Sequence, residues 1–265
     1  KVAVDAMNML YQFATTIRQQ DGTPLKDSHG NVTSHLIGLF SRLTKLMKVG
    51  VKMVFVFDGE MPTLKAKERE RREALKEKAL TALKEAESEI DVASMKKYAS
   101  RTTKVSSQMI EESKELLSAL GIPHLTAPSE GEAQAGTMVV NGDCDYVASQ
   151  DFDCLMYGAP NILRNLSIGQ KRKKINALTY KTVQPEVLSL EQTLETLGIT
   201  IEQLRVLSIL VGTDFNYGGI KGIGPKKALK LVKEHKDNFN TIFEEVKWSH
   251  HWDIDWKDIY ELISN

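Results

Sequence analysis

Seven carboxylates lie at or near the ends of short apolar runs in this sequence, and oxygen ligands of this kind could hold divalent cations. Three β-branched or aromatic runs lead into aspartate: KVAVDA (1–6), VKMVFVFDG (51–59) and DYVASQDFD (145–153). Two further acidic stretches are APSEGEAQA (127–135) and LVGTDFN (210–216). The candidate ligands are Asp5, Asp58, Glu130, Glu132, Asp151, Asp153 and Asp214. Because no His or Cys accompanies them, the set favours Mg²⁺ or Mn²⁺ over zinc.

Each of these acids also has an ordinary structural explanation. Aspartate is common in turns after strands, and Ser129 with Glu132 fits a capping box at a helix start. Asp151 and Asp153 would face the same side if the chain there is extended, whereas Glu130 and Glu132 could share an ion only at a helix start. Because seven crowded carboxylates would repel one another without cations, divalent cations are their natural partner, but on these residues alone the capping interpretation of Glu130 and Glu132 stays open.

The intervening segments predict an α/β protein with a mostly parallel central sheet and helices on both faces. Helical patterns cover residues 7–18, 34–48, 107–120 and 201–211. Strands that alternate with helices form parallel sheets covered on both faces. Since ligands bind beyond the carboxyl ends of such strands, we expect the acids to meet at one edge of the sheet.

Composition limits the class of protein further. The chain has 265 residues, 42% hydrophobic and 26% charged, which is enough for one large or two modest domains. No apolar run is long enough to cross a membrane. Two cysteines without C-x-x-C spacing argue for a reducing compartment and against structural zinc. The net charge is zero, but local basic clusters such as Lys226-Lys227 keep a nucleic-acid partner open.

Five motifs, in order, resemble the flap endonucleases, which are structure-specific 5′-nucleases related to the xeroderma pigmentosum G nuclease. They are VAVDAMNMLYQF, FVFDGEMPTLKAKERERR, APSEGEAQA, SQDFDCL and VGTDFNYGGIKGIGPKKA, and their form looks closest to the archaeal branch. The resemblance covers nearly the whole chain and implies a PIN-like 5′-nuclease fold with a single nuclease domain over 1–265. The implied regions are an N-terminal nuclease region at 1–60, a helical arch at 61–106, an internal nuclease region at 107–200 and a helix–two-turn–helix DNA-binding region at 201–246.

The resemblance assigns the acids to two Mg²⁺ ions, for which Mn²⁺ could substitute. Asp5, Asp58, Glu130 and Glu132 would serve one ion, and Asp151, Asp153 and Asp214 the other, with Glu132 near both. Two metals about 4 Å apart can activate water and stabilise the leaving oxygen of a phosphodiester. The implied activity is that of a 5′-flap endonuclease and 5′–3′ exonuclease, which cuts DNA at single-strand/double-strand junctions in replication and repair.

The basic stretch from Lys65 would form the arch through which a single-stranded 5′ flap passes. Lys65 and Arg72 match the family's basic pair at the scissile phosphate, and Tyr11 matches an aromatic that stacks on a base near the cut. On the residues alone, the stretch is a solvated helix with i,i+4 ion pairs, and Tyr11 is equally well a core aromatic. Because residues 65–90 have little to bury, we expect them to be mobile without DNA, with both cations far from the metals.

The segment GIKGIGPKKALKLVKEH (219–235) predicts a glycine turn that leads into a helix. Gly222 and Gly224 permit the turn, and Pro225 suits the first helical position, where free backbone N–H groups could hold a phosphate. The resemblance implies a helix–two-turn–helix that grips duplex DNA by its backbone and can hold K⁺. The candidate DNA-binding lysines are Lys226, Lys227 and Lys230, with Lys233 on the same helix face.

Flap or branched DNA is the implied partner of a monomeric protein with no membrane association. The implied location is the cytoplasm of an archaeon, near the nucleoid, or the nucleus of a eukaryote. Two family segments are absent from the sequence: the N-terminal segment near the active site and the C-terminal peptide that binds the sliding clamp. We therefore expect clamp binding only from a longer form.

Two other functions stay open on the sequence. A PIN-type ribonuclease shares the strand-end carboxylates, although such domains are usually shorter and lack the glycine turn. Cleavage of matched DNA and RNA flaps would separate these enzymes. A non-catalytic DNA-junction scaffold would bind flaps without turnover in Mg²⁺, and the seven carboxylates argue against it.

Overall fold

A six-stranded sheet lies at the centre of the computed structural model, which describes residues 1–19, 21–88, 102–166, 171–173 and 180–264. Its strands are β1 (Val2–Asp5), β2 (Met53–Phe57), β3 (His124–Thr126), β4 (Tyr146–Ala148), β5 (Asn161–Arg164) and β8 (Glu186–Ser189). They lie in the order β3-β2-β1-β4-β5-β8, and within this sheet only the β5–β8 pair is antiparallel. The strands β6 (Lys171–Lys173) and β7 (Tyr180–Thr182) form a separate antiparallel pair. The predicted mostly parallel sheet is confirmed.

Helices connect most of these strands. They are α1 (Ala6–Thr16), α2 (Ser34–Lys48), α3 (Ala66–Ser88), α4 (Ser107–Ala119), α5 (Gly131–Val140), α6 (Asp153–Met156), α7 (Leu190–Leu197), α8 (Ile201–Val211), α9 (Pro225–His235), α10 (Phe239–Glu245) and α11 (Trp256–Ser264). Short 3₁₀ turns occur at Thr63–Lys65 and Trp248–His250. The four predicted helical patterns match α1, α2, α4 and α8 to within two residues. Of the predicted arch, residues 89–101 lie outside the described residues.

The two faces of the sheet belong to two separate cores, because side chains alternate along each strand. Val2 and Val4 of β1 pack with α1, α2 and α4 on one face. Ala3 of β1 and Val56 of β2 pack with α5, α8 and α9 on the other. Burial on both faces explains why these strands read as nearly continuous apolar runs. Polar side chains are therefore displaced to the ends of the strands.

Gly59 brings the end of β2 against the loop that precedes α5. A Cβ at this position would lie 1.9 Å from the Ala127 carbonyl oxygen, so only glycine fits without displacing that backbone. Gly59 N–H donates to Ser129 O at 2.7 Å, and Ala127 N–H donates to Phe57 O at 2.8 Å. These contacts place Asp58 beside the helix start that carries the two glutamates.

No helix in the described part of the chain combines the length and the hydropathy needed to span a membrane.

Candidate active site

Asp5 ends β1 and caps the helix that follows it. Its Oδ1 accepts the Asn8 N–H at 3.0 Å, and its Oδ2 lies 3.1 Å from Ser149 Oγ. The side chain is buried. Burial raises the pKa of Asp5 to about 6, and the nearby charge of Asp58 adds to the rise. Asp5 is thus a buried acid whose ionised form would be stabilised by a nearby cation.

Ser149, which follows β4, connects Asp5 to Glu132. Its Oγ lies 3.1 Å from Asp5 Oδ2 and 3.1 Å from Glu132 Oε1, and it accepts the Asp151 N–H at 3.1 Å. A hydroxyl has one proton, so it can donate to only one of the two carboxylates at a time. Burial, followed by repulsion from Asp5, Asp151 and Asp153, raises the pKa of Glu132 well above its ordinary value. Sequence reasoning missed Ser149, whose only signal was its place just after a strand.

Glu132, Asp151 and Asp153 form a compact acidic group in the described part of the chain. One carboxylate oxygen from each lies within 4.8 Å of the other two, and oxygens at this spacing can hold a hard divalent cation. Burial raises the pKa of Asp153 to about 7, and repulsion from Asp151 and Asp214 adds to it. The extended arrangement predicted for the two aspartates is wrong, because β4 ends at Ala148 and Asp153 is the first residue of α6. A turn and a helix start, rather than a strand, bring the two acids together.

The helix that carries Glu132 is capped by Asp58, which directly follows β2. Gly131 N–H donates to Asp58 Oδ1 at 2.9 Å, and a Cβ on Gly131 would lie 2.8 Å from that oxygen. Glu130 is the N-cap residue, and its own side chain makes no capping hydrogen bond. The alternative explanation of Ser129 and Glu132 as a capping box therefore does not hold. The absence of this box leaves the Glu132 carboxylate available to the acidic group.

Lys65 forms ion pairs with two of the candidate ligands. Its Nζ lies 2.8 Å from Glu130 Oε2 and 3.0 Å from Asp214 Oδ2. Burial opposes the charge on the amine, but the two carboxylates outweigh it and raise the pKa of Lys65 above its ordinary value. Through these contacts, the turn that precedes α3 is held against the end of the sheet.

Arg72, two turns further along α3, reaches the same aspartate. Its Nη2 lies 2.6 Å from Asp214 Oδ1, and its Nε lies 2.6 Å from Glu68 Oε1. The expectation that Lys65 and Arg72 lie far from the acids without DNA is wrong. The acidic group attracts these cations directly, and α3 is helical over Ala66–Ser88. Glu68 was not predicted from the sequence. It is one charged residue within a charged run, and no local pattern indicates that its side chain is buried.

Tyr11 lies at the edge of an open cavity between α1 and α3. Its side chain is 37% exposed, and Lys76 Nζ lies 5.8 Å from the centre of its ring. The core alternative for Tyr11 does not hold, since the residue is partly exposed and belongs to neither hydrophobic core. The cavity has a volume of about 790 Å³ and is lined by Tyr11, Arg72, Leu75, Lys76, Lys78, Ala79 and Ala82.

The loop that carries Asp214 is fixed by buried polar contacts. Asn216 is fully buried, and its Oδ1 accepts the Thr213 N–H at 3.0 Å and the Thr213 hydroxyl at 2.7 Å. Its Nδ2 donates to Ile209 O at 2.7 Å. Gly219 has φ +55°, and a Cβ there would lie 2.3 Å from the Val211 carbonyl carbon. Asp214 thus projects from a loop with little conformational freedom.

The glycine turn and its helix are found at the positions predicted from the sequence. Gly222 has φ +86°, Gly224 is the N-cap residue of α9, and Pro225 is its first residue. The Lys227 and Ala228 N–H groups both donate to Gly224 O at 3.0 Å. Fewer backbone donors are therefore left for a phosphate than the sequence suggested, and the side chains are the stronger candidates. The exposed lysines of α9 itself are Lys226, Lys227, Lys230 and Lys233.

Comparisons with known proteins agree with this architecture. The family model described as the XPG N-terminal domain matches residues 1–79, and that of the XPG I-region matches residues 121–214. Flap endonuclease 1 of Pyrococcus abyssi is 50% identical over 265 residues, which are the whole of this chain and 76% of the relative.

Two solved structures share the fold over nearly the whole chain. The flap endonuclease-1 from Methanococcus jannaschii aligns with a TM-score of 0.73 and 39% identity, over 99% of this chain and 77% of that one. The catalytic core of Rad2 in complex with a DNA substrate aligns with a TM-score of 0.66 and 25% identity, over 100% of this chain and 78% of that one.

Proposed function

Because the chain belongs to the flap endonucleases of the XPG family, we propose that it is a structure-specific 5′-flap endonuclease and 5′–3′ exonuclease acting in DNA replication and repair. It hydrolyses DNA phosphodiesters where single and double strands meet. The observation that carries this proposal is the group of acids at one edge of the sheet, with Lys65 and Arg72 beside it. Acids alone repel the DNA backbone, whereas acids with cations can hold it for hydrolysis.

We assign Mg²⁺ as the cofactor because all the candidate ligands are carboxylates, which suit hard divalent ions. Asp5, Asp58, Glu130 and Glu132 would hold one ion, and Asp151, Asp153 and Asp214 the second, with Mn²⁺ as a substitute. When bound, the ions would stabilise the attacking and leaving oxygens of the displacement. A further K⁺ in the turn before α9 would support the contact with duplex DNA.

The residues of the chain supply position and charge. Lys65 and Arg72 would exchange their carboxylate partners for oxygens of the scissile phosphate and stabilise the charge that develops there. Tyr11 would stack on a base beside the cut, since its exposed ring borders the cavity below α3. Ser149 would hold Asp5 and Glu132 in place.

The glycine turn and α9 would grip the duplex through its phosphates. Lys226, Lys227 and Lys230 would contact the backbone without reading sequence, which suits an enzyme that recognises the shape of a junction. We propose a monomeric nuclease domain that acts at the nucleoid of an archaeal cytoplasm.

Labelled flap substrates test this function against its alternatives. We expect a DNA flap to be cut at the junction in Mg²⁺ and left intact in EDTA. Cutting of a matched RNA flap at an equal or higher rate would instead indicate a PIN-type ribonuclease. Binding of the DNA flap without cutting, with Mg²⁺ present, would indicate a scaffold.

A further inference from the structure

We propose that Glu68, Arg71 and Tyr217 together position the Arg72 guanidinium for the cleavage step. The inference rests on the proposed function, because it concerns a residue assigned to the scissile phosphate. The inference is drawn from a set of contacts between α3 and the loop after α8. The role of Arg72 alone does not explain these contacts.

Glu68 is the centre of this set. It is a carboxylate in the first turn of a highly charged helix, yet the residue is only 3% exposed. Its Oε2 accepts Arg71 Nε–H at 2.6 Å, and its Oε1 accepts Arg71 Nη2–H at 2.7 Å and Arg72 Nε–H at 2.6 Å. The Arg71 and Arg72 guanidiniums hold the pKa of Glu68 below its ordinary value. Glu68 therefore binds both arginines as a fixed anion.

Arg71 ties this cluster to the loop that carries Asp214. Its guanidinium carbon lies 3.6 Å from the centre of the Tyr217 ring, which is within the range of a cation–π contact. Tyr217 is 55% exposed, so the contact is not an incidental result of core packing. Since Asn216 is buried and fully engaged, the loop offers Tyr217 as a fixed surface for the arginine.

These contacts hold Arg72 at Nε and leave Nη2, which binds Asp214, for exchange with the substrate. Glu68 holds Nε, while Nη2 points to Asp214. When a phosphate takes the place of Asp214, Nε can stay bound, so the guanidinium need not be reoriented. Glu68 also cancels one of two adjacent positive charges. Arg71 and Arg72, with Glu68 between them, then present about one net positive charge to the phosphate. They do so as one rigid group rather than as two mobile side chains.

A double-mutant cycle separates this role from simple helix stabilisation. We expect Glu68→Gln to slow single-turnover cleavage about tenfold or more, as loss of a charge-assisted contact predicts. Affinity for flap DNA in Ca²⁺ should change less than about twofold, since the duplex grip lies elsewhere. In an Arg72→Ala background, Glu68→Gln should have little further effect. Glu70→Gln, the same change at an exposed position of the same helix, is the matched control.

The cycle has clear contrary outcomes. If Glu68→Gln slows the Arg72→Ala variant by the same factor as the unmodified protein, Glu68 does not act through Arg72. If Glu68→Gln cleaves as fast as Glu70→Gln, it has no role in the step. Unfolding temperatures of all variants show whether lost rate reflects lost structure.

Tyr217 provides the second test. Tyr217→Ala removes the surface on which Arg71 lies and should slow single-turnover cleavage severalfold, while Tyr217→Phe keeps the ring and should restore most of the rate. Equal rates for these two variants would remove Tyr217 from the mechanism. If the unmodified protein cuts no flap DNA at all, the proposed function fails. The positioning proposal fails alone if cutting is normal and these variants do not change it.

Discussion

The carboxylate of Asp58 caps the helix that begins at Gly131, although the two residues belong to different parts of the chain. Gly131 N–H donates to Asp58 Oδ1 at 2.9 Å. A candidate metal ligand thus also fixes the direction of the helix that carries Glu132. One side chain links the geometry of β2 to that of α5.

Substitution of Gly131 should therefore damage the site more than the fold. A Cβ would lie 2.8 Å from Asp58 Oδ1, so we expect Gly131→Ala to lose about 1–3 kcal/mol of unfolding free energy and to weaken Mg²⁺-dependent cleavage strongly. Gly136→Ala in the same helix is the matched control. Its Cβ would meet Ala159 Cβ at an ordinary 3.5 Å, and helix propensity should add roughly 0.5–1 kcal/mol. Chemical denaturation and metal titration together test both variants.

Asp151→Ala should abolish cleavage and leave flap binding intact. Asp151 belongs to the compact acidic group with Glu132 and Asp153, whereas the proposed duplex grip lies on α9. Asp143→Ala, which removes an equal charge at an exposed loop position, should cut normally. Turnover at the unmodified rate in Asp151→Ala would remove this residue from the metal site.

The response to Mg²⁺ should depend on pH. The pKa values of Asp5 and Asp153 are raised from 3.8 to about 6 and about 7. In the absence of metal, these two raised pKa values contribute to the free energy of unfolding. The contribution is full below about pH 4, where both acids are protonated, and is lost as pH rises through 6 to 7. Mg²⁺ needs the ionised forms, so the increase in Tm that it causes should grow between pH 5 and pH 8.

Melting curves in Mg²⁺ and in EDTA across this range measure the effect directly. In Asp153→Asn, the dependence on pH near 7 should be reduced. A Tm increase that stays constant from pH 5 to pH 8 would contradict the linkage to these acids.

The proposed lysine contacts on α9 should appear in the salt dependence of binding. Changing Lys226 and Lys230 to Ala should lower the log–log slope of affinity against salt by about one to two units. The reduction should be alike for duplexes of different sequence. Lys48→Ala with Lys52→Ala removes the same charge at the opposite end of the sheet from the acids, where β2 begins, and should leave the slope unchanged. An equal reduction of the slope in both double variants would mean only a general effect of charge.

Hydrogen exchange should divide α3 into two parts in the protein without DNA. Residues 66–73 are held by the ion pairs of Lys65 and Glu68. Beyond them, only Ala79 and Ala86 are buried among the described side chains of the helix. We expect slower exchange in the first part. Uniformly fast exchange over 66–88 would support the original expectation of an arch that forms only on DNA.

The sequence predicted the elements well because their signals are local. The end of β1 at Asp5 and the end of β2 just before Asp58 follow from apolar runs, and α2 follows from its helical period and its limits. The contacts between the site residues are not local. Ser149 contacts Asp5 although the two residues are 144 positions apart, and no spacing within the sequence indicates such a contact.

Two local expectations failed because a distant partner was better placed. Asp58, which directly follows β2, caps α5, and Ser129 and Glu132 do not form the capping box. Lys65 and Arg72 lie at the acids because Glu130 and Asp214 are their partners, whereas composition alone suggested a mobile arch. Electrostatic attraction between remote segments decided both cases.

The order of the acids along the chain has a consequence for biosynthesis. Asp5 lies in β1, near the start of the chain, and Asp214 follows α8. A ribosome must therefore translate most of this chain before the last candidate ligand and the loop of Asn216 can fold into place. A nascent chain that stops short of Asp214 could form much of the sheet and still lack part of the site. Nuclease activity would then be withheld from incomplete polypeptides by the connectivity of the fold itself.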